Sequence, residues 1–220
     1  MAIQAVMFDF NGTLFADSQL HIRAFDEFCH KHLNRSLYPG EFDAHILGGT
    51  NKLVMEYLFG RPMDPEEAEA LGKEKEALYR SYITEDMTLV KGAERLFDEL
   101  AQAGLPMAIV SATPRSNAEF YQSFFKLDRW FTPEQFVYLT PDIQGKPAPD
   151  LYLRGASLLG VNPSQCLVFE DSPVGILAAQ KAGAAYIAAI EPASGPPEGV
   201  HPDVFLPDFD AFDRTLLKSL

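Results

Sequence analysis

Cysteine is scarce in this chain, with only Cys29 and Cys166 among 220 residues. Two cysteines in apolar surroundings, without metal-ligand spacing, build neither a disulfide framework nor a zinc site. Both are expected as reduced core residues, which suits the cytoplasm. Long apolar runs are missing as well, none approaching the roughly 18 residues a membrane span needs. No basic segment leads into an apolar stretch and cleavage site, so neither a secretion signal nor a membrane partner is expected. Positive charge is in short supply, 18 Lys and Arg against 31 Asp and Glu for a net charge of -13. Nucleic acid is therefore not an expected partner, because phosphate backbones are bound by clustered Lys and Arg. A small phosphorylated molecule is not excluded, since one local cation and a metal can dominate a pocket. Internal repeats, low-complexity segments, Gly-x-Gly-x-x-Gly and the P-loop pattern are also absent.

What is present is an ordinary globular composition, 47% apolar and 22% charged. That length allows one good core and a subsidiary one. The stretch that organises the rest is Ala5-Val6-Met7-Phe8-Asp9-Phe10-Asn11-Gly12-Thr13-Leu14. Its four leading apolar residues predict a buried strand, with a carboxylate where the strand runs out. Gly12 permits a sharp turn and Thr13 adds a hydroxyl. In open parallel sheets ligands bind beyond the carboxyl ends of the strands, which makes Asp9 a candidate for chemistry.

From Ser18 to about Thr84 the pattern is helical. Ser18 is read as an N-cap, Ile22, Phe25, Phe28 and Cys29 share one face, and Asp64-Pro65-Glu66-Glu67 opens a further helix. From about Met87 an α/β rhythm takes over. Strands are expected at Pro106 to Val110, Phe136 to Leu139, Cys166 to Phe169 and Ala185 to Ile190, with an edge strand near Val204. Helices are expected at Gly92 to Ala103, from Thr113-Pro114, at Pro149 to Leu159 and from Ser172-Pro173 to Gly183. A loop over Glu191 to Pro202 and a closing amphipathic helix complete the chain. Alternating strands and helices predict a doubly wound parallel sheet. The expected organisation is an α/β core of 1–15 and 87–220, with an inserted all-helical cap domain over 16–86.

Asp9-Phe10-Asn11-Gly12-Thr13-Leu14 resembles the first motif of the haloacid dehalogenase superfamily, usually Asp-x-Asp-Gly-Thr/Val. Ser111 after Met107-Ala108-Ile109-Val110 resembles the second motif, Lys146 in Gly145-Lys146-Pro147 the third, and Glu170-Asp171 the fourth. Order and spacing are similar to the branch that includes β-phosphoglucomutase and many small phosphatases, over nearly the whole chain. The resemblance implies an Mg²⁺-dependent phosphatase working through an aspartyl-phosphate, with Asp9 as nucleophile and Lys146 as charge partner. It implies Asp9, the Asn11 carbonyl, Asp171 and nearby Glu170 as metal ligands. Ser111, the Ala112 N–H, Gly12 and Thr13 would hold the phosphoryl group. In the cap it points to His21 and to Lys52, in Gly49-Thr50-Asn51-Lys52, as substrate contacts. A monomer or weak dimer is expected. Taken singly, Ser111 could cap a turn, Glu170-Asp171 could cap the Ser172 helix, Lys146 and Lys52 could be solvated, and His21 could be helix packing.

One departure stands out: Asn11 occupies the family's second aspartate position. A carboxamide cannot exchange a proton at neutral pH, so acid–base catalysis worth ~10²–10⁴-fold should be lost. Three alternatives follow. The enzyme uses a good leaving group such as an acyl phosphate or pyrophosphate; or the chain is an Asp→Asn variant; or it is a catalytically disabled phosphate- and metal-binding protein. A sugar phosphomutase, which needs the proton shuttle twice, is the runner-up among enzymes.

Overall fold

The computed structural model describes residues 3–47, 49–190 and 200–217. The chain divides into two compact units, one of Met1–Ala16 with Thr88–Leu220 and the other of Asp17–Met87. Its strands are β1 (Ala5–Phe8), β2 (Met107–Pro114), β3 (Phe136–Leu139), β4 (Cys166–Glu170), β5 (Tyr186–Ile190) and β6 (Val204–Leu206). Its helices are α1 (Ser18–Leu33), α2 (Asn51–Phe59), α3 (Pro65–Ser81), α4 (Ala93–Gln102), α5 (Arg115–Phe124), α6 (Asp150–Leu158) and α7 (Pro173–Ala182).

The six strands among the described residues join one sheet in the order β3-β2-β1-β4-β5-β6, every pairing parallel. This is the doubly wound α/β sheet expected from the strand–helix alternation. Strand order runs outward in both directions from β1, so β1 marks the switch point where such sheets place their ligands. All four β1 residues are buried because both faces of the sheet are covered. Ala5 and Met7 join Ala108, Val110, Val168 and Ile176 on one side. On the other, the Phe8 ring stacks on Phe169 at 5.2 Å and meets Phe97 edge-on at 5.1 Å. Each such large side chain stabilises the fold by roughly 1.5–3 kcal/mol through burial.

Three local expectations change. The helix expected from Thr113-Pro114 begins at Arg115, because β2 runs on to Pro114 through a register shift after Val110. Proline keeps the residue before it extended, and Pro114 serves as the N-cap. The closing helix is two short 3₁₀ turns, Phe209–Ala211 and Arg214–Leu217. The Asp208 carboxylate accepts from the Asp210 and Ala211 N–H groups, and Phe212 is already extended after that single turn. Most of the loop expected over Glu191 to Pro202 lies outside the described residues.

The second unit is helical throughout its regular structure. Phe25, Phe28 and Cys29 of α1 pack with Val54, Met55 and Leu58 of α2, Met63, and Ala68 of α3. Asp17, not Ser18, is the N-cap of α1. Its carboxylate is engaged elsewhere, accepting the Tyr79 hydroxyl of α3. Pro65 and the acids Glu66 and Glu67 occupy the first turn of α3, as helix-start chemistry requires. Both cysteines are free and buried, and burial pushes each thiol up to about 11. No helix among the described residues is long and apolar enough to cross a membrane.

Candidate active site

Asp9 follows the last residue of β1, and its backbone N–H donates to the Phe169 carbonyl of β4 at 2.9 Å. That bond fixes where the chain leaves the sheet. The next strands bring Ser111 on β2 and Glu170 at the end of β4 to the same edge, with Asp171 one residue beyond. Lys146, from the segment between β3 and α6, reaches in from the side. Its ammonium lies 2.5 Å from both Asp9 and Glu170, donates to the Val110 carbonyl at 3.4 Å, and is buried with them.

Glu170 is fully buried and its oxygens are heavily used. Oε1 accepts from Lys146 and from the Tyr152 hydroxyl at 2.6 Å. Oε2 accepts from the N–H groups of Asp171 and Ser172 and from the Ser172 hydroxyl. Ser172 is also the N-cap of α7, its hydroxyl accepting from Gly175 N–H at 3.1 Å. A Cβ on Gly175 would stand 1.9 Å from Glu170 Oε1, so the carboxylate tucks against the helix start only because residue 175 is glycine. Gly12 does the equivalent for Asp171. It has φ +85°, and a Cβ there would stand 2.1 Å from Asp171 Oδ2. Thr13 then donates its hydroxyl to Asp171 Oδ1 at 3.0 Å.

Asp9, Glu170 and Asp171 thus place carboxylate oxygens within 4.8 Å of one another. Burial pushes Asp9 up; Lys146 pulls it down and Glu170 pushes it up again, leaving it at about 7 instead of 3.8. Asp171 is likewise held well above its ordinary value by burial and by the charges of Asp9 and Glu170. Burial alone would lower Lys146, but the two carboxylates outweigh it and hold the ammonium above its usual value. Three carboxyl groups share one buried ammonium, a deficit of positive charge that a divalent cation would offset. Hard oxygen donors of this kind suit Mg²⁺, so the residues present fit that ion.

Ser111 is 1% exposed, its hydroxyl donating to Asn11 Oδ1 at 3.2 Å and accepting from Thr113 N–H at 3.3 Å. Asn11 Nδ2 donates to the Tyr121 hydroxyl at 2.8 Å. Asp9, Asn11, Gly12, Thr13, Ser111, Ala112, Lys146, Glu170 and Asp171 all belong to the α/β unit. His21 and Lys52 belong to the helical unit. There His21 stacks on Tyr79 at 3.8 Å and lies 3.4 Å from Asp17, while half-exposed Lys52 lies 3.8 Å from Glu56. Tyr121 and Tyr152 escape sequence reasoning, because each sits on an apolar helix face where an aromatic ring reads as packing.

A parallel sheet with carboxylates, a lysine and a serine gathered at its carboxyl edge has the architecture of an α/β protein with its candidate site at the strand ends. The chain belongs to the haloacid dehalogenase-like hydrolases, matching that family over residues 3–183. Hexitol phosphatase A of Escherichia coli is 32% identical over 89% of this chain and 87% of its own length. A β-phosphoglucomutase of Mycobacterium bovis is 29% identical over 86% and 81%. Among solved structures, a haloacid dehalogenase hydrolase of family IA, variant 3, from Entamoeba histolytica superposes with a TM-score of 0.87. It is 31% identical and covers 98% of both chains. The protein is therefore an enzyme of the phosphatase type.

Proposed function

We propose that the chain is an Mg²⁺-dependent phosphatase of a small phosphorylated metabolite, with Asp9 as the nucleophile that is transiently phosphorylated. The observation that carries this reading is the meeting of Asp9, Ser111, Lys146 and Asp171 at one sheet edge. A phosphorylated sugar or sugar alcohol is the substrate class suggested by the names of the hexitol phosphatase and β-phosphoglucomutase relatives.

A carboxylate oxygen of Asp9 attacks phosphorus, the bond from phosphorus to the leaving oxygen breaks, and an aspartyl-phosphate forms. Water then attacks that phosphorus, releasing inorganic phosphate and restoring the carboxylate. Lys146 offsets negative charge beside the nucleophile and is held by Glu170, which Tyr152 and Ser172 hold in turn. Ser111, the Ala112 N–H, Gly12 and Thr13 line the place for the phosphoryl oxygens. Asp9, Asp171 and the Asn11 carbonyl would hold Mg²⁺, with Glu170 adjacent. When bound, the ion neutralises charge that otherwise opposes attack of an anion on an anion. His21 and Lys52 of the helical unit are proposed contacts for the rest of the substrate. A helical cap domain of 16–86, a core domain of 1–15 and 87–220, a cytoplasmic location, and a monomer or weak dimer complete the proposal.

Asn11 sets the rate. It cannot protonate a leaving oxygen or deprotonate water, so both protons pass to and from solvent. A phosphomutase, which moves protons on and off sugar hydroxyls, is disfavoured by the same residue. Phosphate release from p-nitrophenyl phosphate, acetyl phosphate and glucose 6-phosphate tests the reading, measured for the chain and for Asn11→Asp. The expected outcome is slow turnover, fastest with acetyl phosphate, and a gain of ~10²–10⁴-fold with glucose 6-phosphate on restoring the carboxyl group. No turnover in either protein, with Mg²⁺ still bound, would overturn it in favour of a binding protein.

A further inference from the structure

The α/β unit contains a side-chain arrangement that the proposed chemistry does not use directly. Asn11 Nδ2 donates to the Tyr121 hydroxyl at 2.8 Å, and Asn11 Oδ1 accepts from the Ser111 hydroxyl at 3.2 Å. Ser111 in turn accepts from the Thr113 N–H. The hydroxyl hydrogen of Ser111 is therefore directed at Asn11, and the amide of Asn11 is held from both ends. Tyr121 is itself closely packed. It is fully buried on α5, and its ring stacks on Phe10 with centroids 4.2 Å apart and planes 17° from parallel. Phe10 lies between Asp9 and Asn11, so the same stack ties the segment carrying the nucleophile to α5.

We infer that Tyr121 is a positioning residue that fixes the side chain of Asn11 and, through it, holds the Ser111 side chain in place until its hydroxyl hydrogen turns from Asn11 to a phosphoryl oxygen. The inference rests on the proposed role of Ser111 in holding the phosphoryl group. A tyrosine hydroxyl can donate or accept, whereas a carboxamide has one end of each kind and a carboxylate only accepts. Opposite Asn11 the tyrosine oxygen accepts. Opposite an aspartate it has to turn and donate. The contribution of Tyr121 therefore depends on which residue stands at position 11, and asparagine here is a member of a built hydrogen-bond chain.

A double-mutant cycle over Tyr121→Phe and Asn11→Asp tests this, because phenylalanine keeps the ring stack and removes only the hydroxyl. Turnover of acetyl phosphate by Tyr121→Phe should fall about three- to tenfold, the loss of one hydrogen bond. In the Asn11→Asp background the same change should alter turnover by a factor differing from the first by about threefold or more, a coupling expected of residues in contact. Side-chain amide NMR gives a second reading that needs no activity. The Asn11 Nδ2 proton pair, assigned by its disappearance in Asn11→Asp, should shift in Tyr121→Phe. Equal effects of Tyr121→Phe in both backgrounds, or unmoved Asn11 amide resonances, would overturn the inference. Undiminished turnover by Asp9→Asn would instead overturn the proposed nucleophile and leave the amide reading to decide on Tyr121.

Discussion

At the scale of the residue, Lys146 shows how tightly the site is balanced. Its ammonium is the cation that touches both Asp9 and Glu170 in the buried cluster. Removing one partner of a buried ion pair leaves uncompensated charge and typically costs about 3–5 kcal/mol. Lys146→Met should therefore unfold at lower denaturant concentration, by about that much free energy, and turn over no acetyl phosphate. Equilibrium urea unfolding checks the first expectation and a phosphate-release assay the second. The meeting of Asp9, Ser111, Lys146 and Asp171 was legible in the sequence through the order and spacing of four family-like motifs, and Asp9 also because it stands where an apolar strand run stops. Tyr121 and Tyr152 were not legible. Tyr121 meets its partner 110 positions away, and nothing in a helix's apolar periodicity says whether a phenol finds a hydrogen-bond acceptor.

Among the elements, α7 carries the clearest dependence of site on fold. Glu170 ends β4, Ser172 caps α7, and Gly175 in its first turn leaves room for the Glu170 carboxylate. An added methyl at 175 would collide with a group that five donors hold in place, so the carboxylate cannot step aside cheaply. Gly175→Ala should destabilise the protein by about 1–3 kcal/mol, the usual range for forced overpacking. It should also lower the apparent affinity for Mg²⁺, measured by calorimetry, since Asp171 adjoins the displaced group. Ser172→Ala should cost about 1 kcal/mol through the lost N-cap. Strand positions were readable from apolar runs of four or five residues. The extension of β2 to Pro114 was not, because a register shift depends on the neighbouring strand and leaves no mark in the chain's own periodicity. The final 3₁₀ turns mimic a helix in their apolar spacing but lack the length to continue one.

Within the pH response of the whole molecule, Asp9 and Asp171 contribute in the sense opposite to an ordinary paired carboxylate. The folded-state value of Asp9 is pushed up to about 7, against 3.8 for an ordinary aspartate, and Asp171 is raised as well. Between those limits the folded chain retains protons that the unfolded chain has lost. The stability that Asp9 and Asp171 contribute to the metal-free protein should therefore fall as pH rises from about 4 to about 7, a slope that Asp9→Asn should flatten. Mg²⁺ held as proposed would compete with those protons for the same oxygens. Its addition should raise the unfolding temperature little at pH 5 and clearly at pH 8. Differential scanning calorimetry with and without Mg²⁺ measures both trends. The overall architecture was legible because it follows from coarse signals, a helical block of about 70 residues interrupting an α/β rhythm. Substrate choice was not, since it depends on side chains that only the folded chain brings together.

The direct experiment is rapid acid quench during turnover of acetyl phosphate, followed by peptide mass spectrometry. Nucleophilic attack by Asp9 requires a phosphate adduct on the peptide containing Asp9, absent from Asp9→Asn, whose turnover is abolished. Phosphate found on another residue, or an Asp9→Asn protein as active as the parent, would contradict it.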